Sequence, residues 1–213
     1  MYFVKTPNII RSYFKDCVWN IDTTKKEIYL TFDDGPTPQV TSFVLNTLKK
    51  HQAKATFFCI GKNIEKHPDL FNQIIAEGHA VANHTQNHDN GWKTNDSTYI
   101  ESVTSCQQII SNLSSFNLND RPKLFRPPYG KIKRSQIKKL NKKGYKILMW
   151  TVLSGDFDSK ISKEKCLNNA IKKTKKGDIV VFHDSEKAFE KLKYTLPKVL
   201  EYFSKKEFEF KNF

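Results

Sequence analysis

EIYLTFDDGPTPQVTSFVLNTLKKHQAKATFFCI, residues 27–60, holds a strand, a turn, a helix and a second strand in one unbroken run. Glu27–Phe32 is apolar and β-prone, and Asp33, Asp34, Gly35 and Pro36 end it abruptly. Such Asp/Gly/Pro clusters break regular structure because each favours turn geometry. Val40, Phe43, Val44 and Leu48 then recur at helical spacing. Ala55–Ile60 is almost wholly apolar, as a strand covered on both faces requires. Strand, helix and strand in this order imply a parallel sheet.

The alternation continues outward. Further strand candidates are Ala80–Asn83, Lys123–Arg126, Lys146–Val152, Asp178–Phe182 and Glu207–Phe210. Between them lie apolar stripes of helical period. One runs through Ile64, Leu70, Phe71, Ile74 and Ile75, with a break at Pro68. Others run through Ile100, Val103, Ile109, Ile110 and Leu113, then Ile132, Ile137 and Leu140, and finally Phe189, Leu192, Leu196, Val199, Leu200 and Phe203. Gly78, Gly144 and Gly177 each precede a new strand, where a helix C-cap glycine belongs. The expected fold is α/β, a small or incomplete (β/α) barrel of about seven parallel strands. In such barrels chemistry sits where strands end. Asp33–Pro36, His84–His88, Arg126–Gly130, Ser154–Asp158 and His183–Asp184 all follow strands directly.

The chain has 213 residues, enough for one domain with a sizeable core. Its net charge of +14 comes from lysine, with arginine only at Arg11, Arg121, Arg126 and Arg134. So few arginines argue against specific nucleic-acid binding, where arginine dominates base contacts. The charge reads as a lysine-coated soluble surface, with attraction to acidic polymers as the sharper alternative. Lys131, Lys133, Arg134, Lys138, Lys139, Lys142 and Lys143 crowd after Gly130, so the start of that segment would border a cleft there. Cys17, Cys59, Cys106 and Cys166 are widely spaced and read as free, buried thiols. The first 20 residues hold no apolar stretch of signal-peptide length, and no membrane span is evident. A cytoplasmic location is the expectation, with a secreted or envelope location if the sequence is a trimmed form.

The strand-end residues carry the chemistry. Adjacent carboxylates such as Asp33 and Asp34 repel, so one of them calls for a cation or an arginine. His84 and His88 are four residues apart, and in helical geometry such a pair shares one face and converges on one cation. Two histidines and one carboxylate leave open positions for water and substrate. Arg126 precedes Pro127–Pro128, and the turn at Tyr129–Gly130 could present a peptide N–H to an oxyanion. His183 at a strand terminus suits a general acid, with Asp156 and Asp158 as carboxylate partners. His51, His67 and His79 sit in less promising places: a lysine-rich helix end, before a proline, and a strand start.

TFDDGP, HTQNH, RPPYG, the Asp156 region and FHD occur in the order seen in polysaccharide deacetylases, and over roughly residues 20–210 the chain resembles that family, carbohydrate esterase family four. The resemblance implies a distorted β/α barrel. It implies that Asp34, His84 and His88 hold one divalent metal, zinc first, with cobalt or nickel as alternatives. It implies that Asp33 is the general base for the metal's water, positioned by Arg126. The Tyr129 N–H would hold the oxyanion, and His183, tuned by Asp156, would be the general acid. Phe157 stands where a tryptophan is usual and Val181 where a leucine is usual. Both positions line the acetyl-methyl pocket in that family, so acyl-pocket shape is where this chain departs.

The expectation is therefore a monomer with residues 1–20 as an N-terminal extension and 21–213 as a metal-dependent catalytic domain. It would remove N-acetyl groups from an amino-sugar polymer or oligomer of chitooligosaccharide or peptidoglycan type. Three rivals remain: an O-acetyl esterase on a polysaccharide such as xylan, a non-catalytic glycan-binding protein with the same fold, and a two-His-one-carboxylate iron oxygenase. The intact Asp33, Asp34, His84, His88 and His183 speak against the second. The missing oxygenase His-x-Asp spacing and the adjacent Asp33 speak against the third.

Overall fold

A computed structural model describes residues 2–113 and 122–213. The first unit is β1 (Glu27–Asp33), α2 (Pro38–Lys50) and β2 (Ala55–Cys59), preceded by a short helix α1 (Asn8–Tyr13). Then come α3 (Gly61–Lys66), α4 (Pro68–Ala76), β3 (Ala80–Asn83), α5 (Asp96–Leu113), β4 (Lys123–Phe125), α6 (Arg134–Lys142) and β5 (Tyr145–Ile147). The chain closes with β6 (Val152–Leu153), α7 (Lys163–Lys172), β7 (Ile179–His183), α8 (Phe189–Ser204) and β8 (Glu209–Phe210). The apolar stripe through Ile64 and Leu70 breaks at Pro68 into α3 and α4, as proline at a helix start requires. Gly78, Gly144 and Gly177 take φ of 79°, 81° and 76°, the left-handed conformation of a C-cap.

Seven strands run in the order β5-β4-β3-β2-β1-β7-β6, every pairing parallel, and β8 adds to β1. The run Lys146–Val152 is not the single strand its apolar character suggested. It divides into β5 and β6, which lie at opposite ends of the path. Seven flat strands would span about 29 Å. The five-residue step from Ile147 to Val152 reaches at most about 18 Å. The sheet must therefore curl until its ends approach, which gives the distorted, incomplete barrel.

Residues of the leading segment bridge that seam. Val18 pairs with Leu148, Lys5 with Val152, and Asn20 with Asp178. Cys17 and Trp19 are buried there with Phe125, Tyr145 and Met149.

Strand alternation sorts the two layers. Leu30, Phe32, Phe57, Cys59, Val180 and Phe182 face the helices in the main core, with the Phe32 ring 5.1 Å from Phe57 and 6.0 Å from Phe182. Burying each such phenylalanine contributes about 1.5–3 kcal/mol. Phe58, Ala82, Leu124 and Leu148 form a separate cluster. All four cysteines are buried and unpaired. Among the described residues no helix is long and apolar enough to cross a membrane. Helix α7 escaped the periodicity reading, although Ser162 caps it by accepting from Lys165 N–H and Cys166 and Ala170 recur at helical spacing on its buried side.

Candidate active site

Register fixes the centre of the site. In the β1–β7 pair Asp33 stands opposite His183 and Thr31 opposite Val181. Two side chains at such paired positions leave the same face of adjacent strands, about 4.8 Å apart. Asp33 and His183 are thus neighbours at the strand ends.

Arg126 lies wholly buried in the seam of the barrel. Its Nη1 donates to Asp33 Oδ1 and to Thr31 Oγ1, both at 2.7 Å. Its Nε and Nη2 donate to the Leu148 and Met149 carbonyls at 3.2 and 3.1 Å. The guanidinium lies 3.9 Å from the centre of the Phe58 ring. Burial lowers its pKa and the Asp33 charge opposes that. Arg126 therefore fastens Asp33 to the seam with a fork whose other prongs are already taken.

Asp34 leaves β1 at φ 85°, a strained value for a residue with a Cβ. The backbone of the turn around it is fastened on several sides. Asp34 N–H donates to the Phe58 carbonyl at 3.2 Å, and Asn63 Nδ2 donates to the Asp34 carbonyl at 2.7 Å. Gly35 N–H donates to Asp184 Oδ1 at 3.0 Å, and Thr41 Oγ1 donates to Asp184 Oδ2 at 2.6 Å. A Cβ on Gly35 would fall 2.0 Å from Asp184 Oδ2, so glycine is dictated by space. Burial raises the Asp184 carboxyl to about 7 against the hydrogen bond from Thr41. Sequence reasoning gave Asp184 no role; its only signal was its place beside His183.

His84 and His88 do converge, though not on a helix. Residues 84–88 form no helix, and Thr85 and His88 take φ of 66° and 59°. Left-handed residues curl the chain, so a turn does what the i, i+4 spacing was expected to do. Asn83 secures the turn by accepting from Thr85 N–H at 2.9 Å and donating to the Val103 carbonyl at 2.7 Å. The His84 ring donates through Nδ1 to the Arg126 carbonyl at 2.8 Å, which leaves Nε2 as the free ring nitrogen. Burial pushes His84 down to about 4, partly opposed by Asp33 and Asp34. A neutral imidazole is the form a metal requires.

The ligand set fits a cation. Asp34 Oδ1 is buried and accepts no well-directed hydrogen bond. It lies 3.2 Å from His88 Nε2 and 3.7 Å from His84 Nε2, and one ligand atom from each of the three residues falls within 4.8 Å of the others. Burial alone would raise Asp34, but His88, His183 and His84 outweigh it and hold the carboxylate well below the usual range. A carboxylate kept ionised, with an orphaned oxygen, and two imidazoles make an oxygen and nitrogen donor set that could hold a divalent cation.

The remaining candidates close around this centre. Asp156 is fully buried and grips His183 twice: its Oδ1 accepts from the ring Nδ1 at 2.8 Å and its Oδ2 from the backbone N–H at 2.7 Å. Burial would lower His183, yet Asp156, then Asp34 and Asp33, raise it to about 9. Asp158 is elsewhere, accepting from the Tyr2 hydroxyl at 2.9 Å. Phe157 stands edge-on to the His183 ring at 5.0 Å, and Val181 is buried on the same strand face as His183. Tyr129 has φ 60°, and its ring lies 4.5 Å from His88. The turn bonds from Gly130 and Lys131 N–H return to Pro127 and Pro128, so neither uses the Tyr129 N–H. His79 is buried at the far end of β3, where burial lowers it to about 4 and its Nδ1 accepts from Ala55 N–H.

Comparison with known proteins identifies the family and the fold. A peptidoglycan-N-acetylglucosamine deacetylase of Bacillus cereus is 35% identical over 161 residues, covering 76% of this chain and 57% of that protein. The chain thus spans little more than half the length of that relative. A peptidoglycan N-acetylglucosamine deacetylase solved in complex with 4-naphthalen-1-yl-N-oxidanyl-benzamide superposes with a TM-score of 0.87 at 30% identity, over 97% of this chain and 94% of that one. A family-four pseudoenzyme from Bacillus anthracis shares the fold at a TM-score of 0.79 and 22% identity, over 91% of this chain and 66% of that one. The sequence pattern described as polysaccharide deacetylase matches residues 20–148. With that match over more than half its length, the chain belongs to the polysaccharide deacetylase family.

Proposed function

We propose that this protein hydrolyses the acetamide of an N-acetylated amino sugar within a glycan of peptidoglycan or chitooligosaccharide type. Asp34, His84 and His88 hold a divalent cation, zinc by the chemistry of the donor set. Such a cation, when bound, polarises a carbonyl and makes water acidic enough to attack near neutral pH. The chain's own residues do the rest. Asp33, pinned by Arg126, accepts the proton of the attacking water. The Tyr129 backbone N–H donates to the oxygen on which charge develops. His183, protonated and oriented by Asp156, gives its proton to the departing amine.

The observation that carries this reading is the pairing of Asp33 with His183 beside the Asp34 cluster. Each is held by a buried partner of opposite charge, Arg126 for Asp33 and Asp156 for His183. That division supplies a base and an acid in one site. Asp156 and the neighbouring carboxylates raise His183, which suits it to give a proton to a departing amine. The site residues also speak against a purely binding role, since a lectin has no use for an oriented acid and base. Acetate release from N-acetylglucosamine oligomers, peptidoglycan fragments and acetylated xylan, with metal add-back, is the test. Asp33→Asn should retain the metal and lose roughly a hundredfold or more in turnover. Near-normal turnover in that variant, or release confined to acetylated xylan, overturns the assignment.

A further inference from the structure

Asp158 lies two residues past Asp156, yet its carboxylate serves a different partner. The Tyr2 hydroxyl donates to Asp158 Oδ2 at 2.9 Å, a contact between residues 156 positions apart. Phe157 stands between two rings: Tyr2, with centres 5.2 Å apart and planes at 56°, and His183, at 5.0 Å and 68°. Asp156 meanwhile grips His183 through both carboxylate oxygens. Three consecutive residues thus tie the acid on one side to Tyr2 on the other.

Backbone pairing brings Tyr2 to this place. Strand β6 ends the sheet path, and an open strand edge calls for a partner. Residues 2–6 supply it in the antiparallel sense, with Lys5 opposite Val152. Leu153 N–H donates to the Val4 carbonyl and Thr6 N–H to the Thr151 carbonyl, both at 2.9 Å. Thr6 Oγ1 donates to the Trp150 carbonyl at 2.9 Å, and Lys5 Nζ lies 2.6 Å from Asp178 Oδ2. The loop that Tyr2 meets is held as well. Asp158 N–H donates to the Gly155 carbonyl and Asn169 Nδ2 to the Ser154 carbonyl, both at 3.0 Å. A Cβ on Gly155 would fall 2.9 Å from the Tyr2 hydroxyl oxygen, so loop and segment fit closely.

Phe157 is half-buried and forms a wall beside His183. A wall made of one ring keeps its position only where other atoms fill the space behind it. Here the ring behind it is Tyr2, and the hydroxyl bond to Asp158 keeps Tyr2 in place in turn. In an acetamide the one apolar group on the reacting carbon is the methyl. An apolar ring fixed next to the acid therefore suits that methyl and leaves little room for a longer acyl chain. One added methylene in a close apolar pocket changes kcat/KM by about 10–200-fold.

We propose that Tyr2 is a positioning residue of the active site: it seats Phe157 against His183 and so sets the length of the acyl group that can be removed. The proposal rests on the deacetylase reading above and adds to it a residue from outside the strand-end loops.

The test compares the parent with Tyr2→Phe and Tyr2→Ala, each as the full chain with zinc. Turnover is read as release of acetate or propionate from N-acetyl and N-propionyl glucosamine oligomers of equal length. Tyr2→Ala should raise the ratio of kcat/KM on the propionyl oligomer to that on the acetyl one by about fivefold, part of the discrimination a methylene allows. Tyr2→Phe keeps the ring and should hold that ratio within about twofold of the parent. Seating is read without turnover, from the His183 ring-proton NMR signals, assigned by their loss in His183→Ala. They should move in Tyr2→Ala and far less in Tyr2→Phe, while those of His79, at the far end of β3, stay. Unmoved His183 signals in Tyr2→Ala overturn the seating of Phe157. An unchanged acyl ratio overturns the control of length. Equal movement of His79 makes Tyr2 a general prop of the fold and overturns the proposal as a whole. If the parent releases neither acid, yet His183 alone moves in Tyr2→Ala, the seating stands and the deacetylase reading falls.

Discussion

Arg126→Met removes the group that holds both Asp33 and the seam of the barrel. The wild-type guanidinium serves four acceptors: Asp33 Oδ1, Thr31 Oγ1 and the Leu148 and Met149 carbonyls. Arg126 is 0% and Asp33 4% exposed, so water cannot readily replace the lost partner. Breaking a buried ion pair by deleting one side costs about 3–5 kcal/mol, because the other charge stays buried. For a chain of this size each kcal/mol moves Tm by about 2–4 °C, so the midpoint should fall by about 6–20 °C. Arg126→Lys keeps the charge but cannot span four acceptors from one ammonium, and should lose about 1–3 kcal/mol. Asp33→Asn keeps an acceptor oxygen for Nη1 and the other three bonds, but leaves the Arg126 charge buried without its counter-charge, and should also lose about 3–5 kcal/mol. The measurement is thermal melting with a matching urea titration for all three variants at one pH. The reasoning is refuted if Arg126→Met melts within about 3 °C of the parent. It is refuted equally if Asp33→Asn, which leaves the buried Arg126 charge unpaired, melts within about 3 °C of the parent.

The double variant His84→Ala, His88→Ala should lose its bound metal by elemental analysis, and full retention would reject the Asp34 cluster as the site. Turnover should fall as pH rises, because a general acid works only while protonated. Burial would lower His183 but Asp156 raises it to about 9, so Asp156→Asn should move the alkaline limb of kcat to lower pH; an unmoved limb contradicts the role. The same shift has a stability sign: with a folded pKa above the unfolded value of about 6.5, charged His183 stabilises the fold fully below pH 6.5 and loses that contribution as pH rises through about 9. The Tm deficit of Asp156→Asn should therefore be largest on the acid side of that window and shrink through it. His183→Ala should slow N-deacetylation more than hydrolysis of an activated phenyl ester, and equal losses would count against an acid. Gly35→Ala puts a methyl 2.0 Å from Asp184 Oδ2, and should cost about 1–3 kcal/mol and weaken metal binding, seen by melting and by metal titration.

Most of the strand–helix order was legible because both faces of these strands are covered, which makes continuous apolar runs such as Ala55–Cys59 stand out. Pro68 and the C-cap glycines marked the breaks through local backbone preference, which acts within a few residues. The candidate residues were legible for the same reason: each follows a strand directly, so their order along the chain revealed them. Periodicity could not divide Lys146–Val152 into β5 and β6, because that division serves closure of the sheet. Nor could spacing show that His84 and His88 meet on a left-handed turn, since strain at Thr85 and His88 persists only where surrounding bonds hold it. The chain itself offers the candidates for acid, base and the three ligand side chains, since candidacy is a matter of residue type. Only the tertiary structure pairs Asp33 with His183 across two strands, aims Arg126 into a seam built from residues far apart in sequence, and sets Asp184 under Gly35. The Arg126–Asp33 and Asp184–Gly35 contacts join residues that are 93 and 149 positions apart, and over such separations proximity is decided by the curl of the sheet.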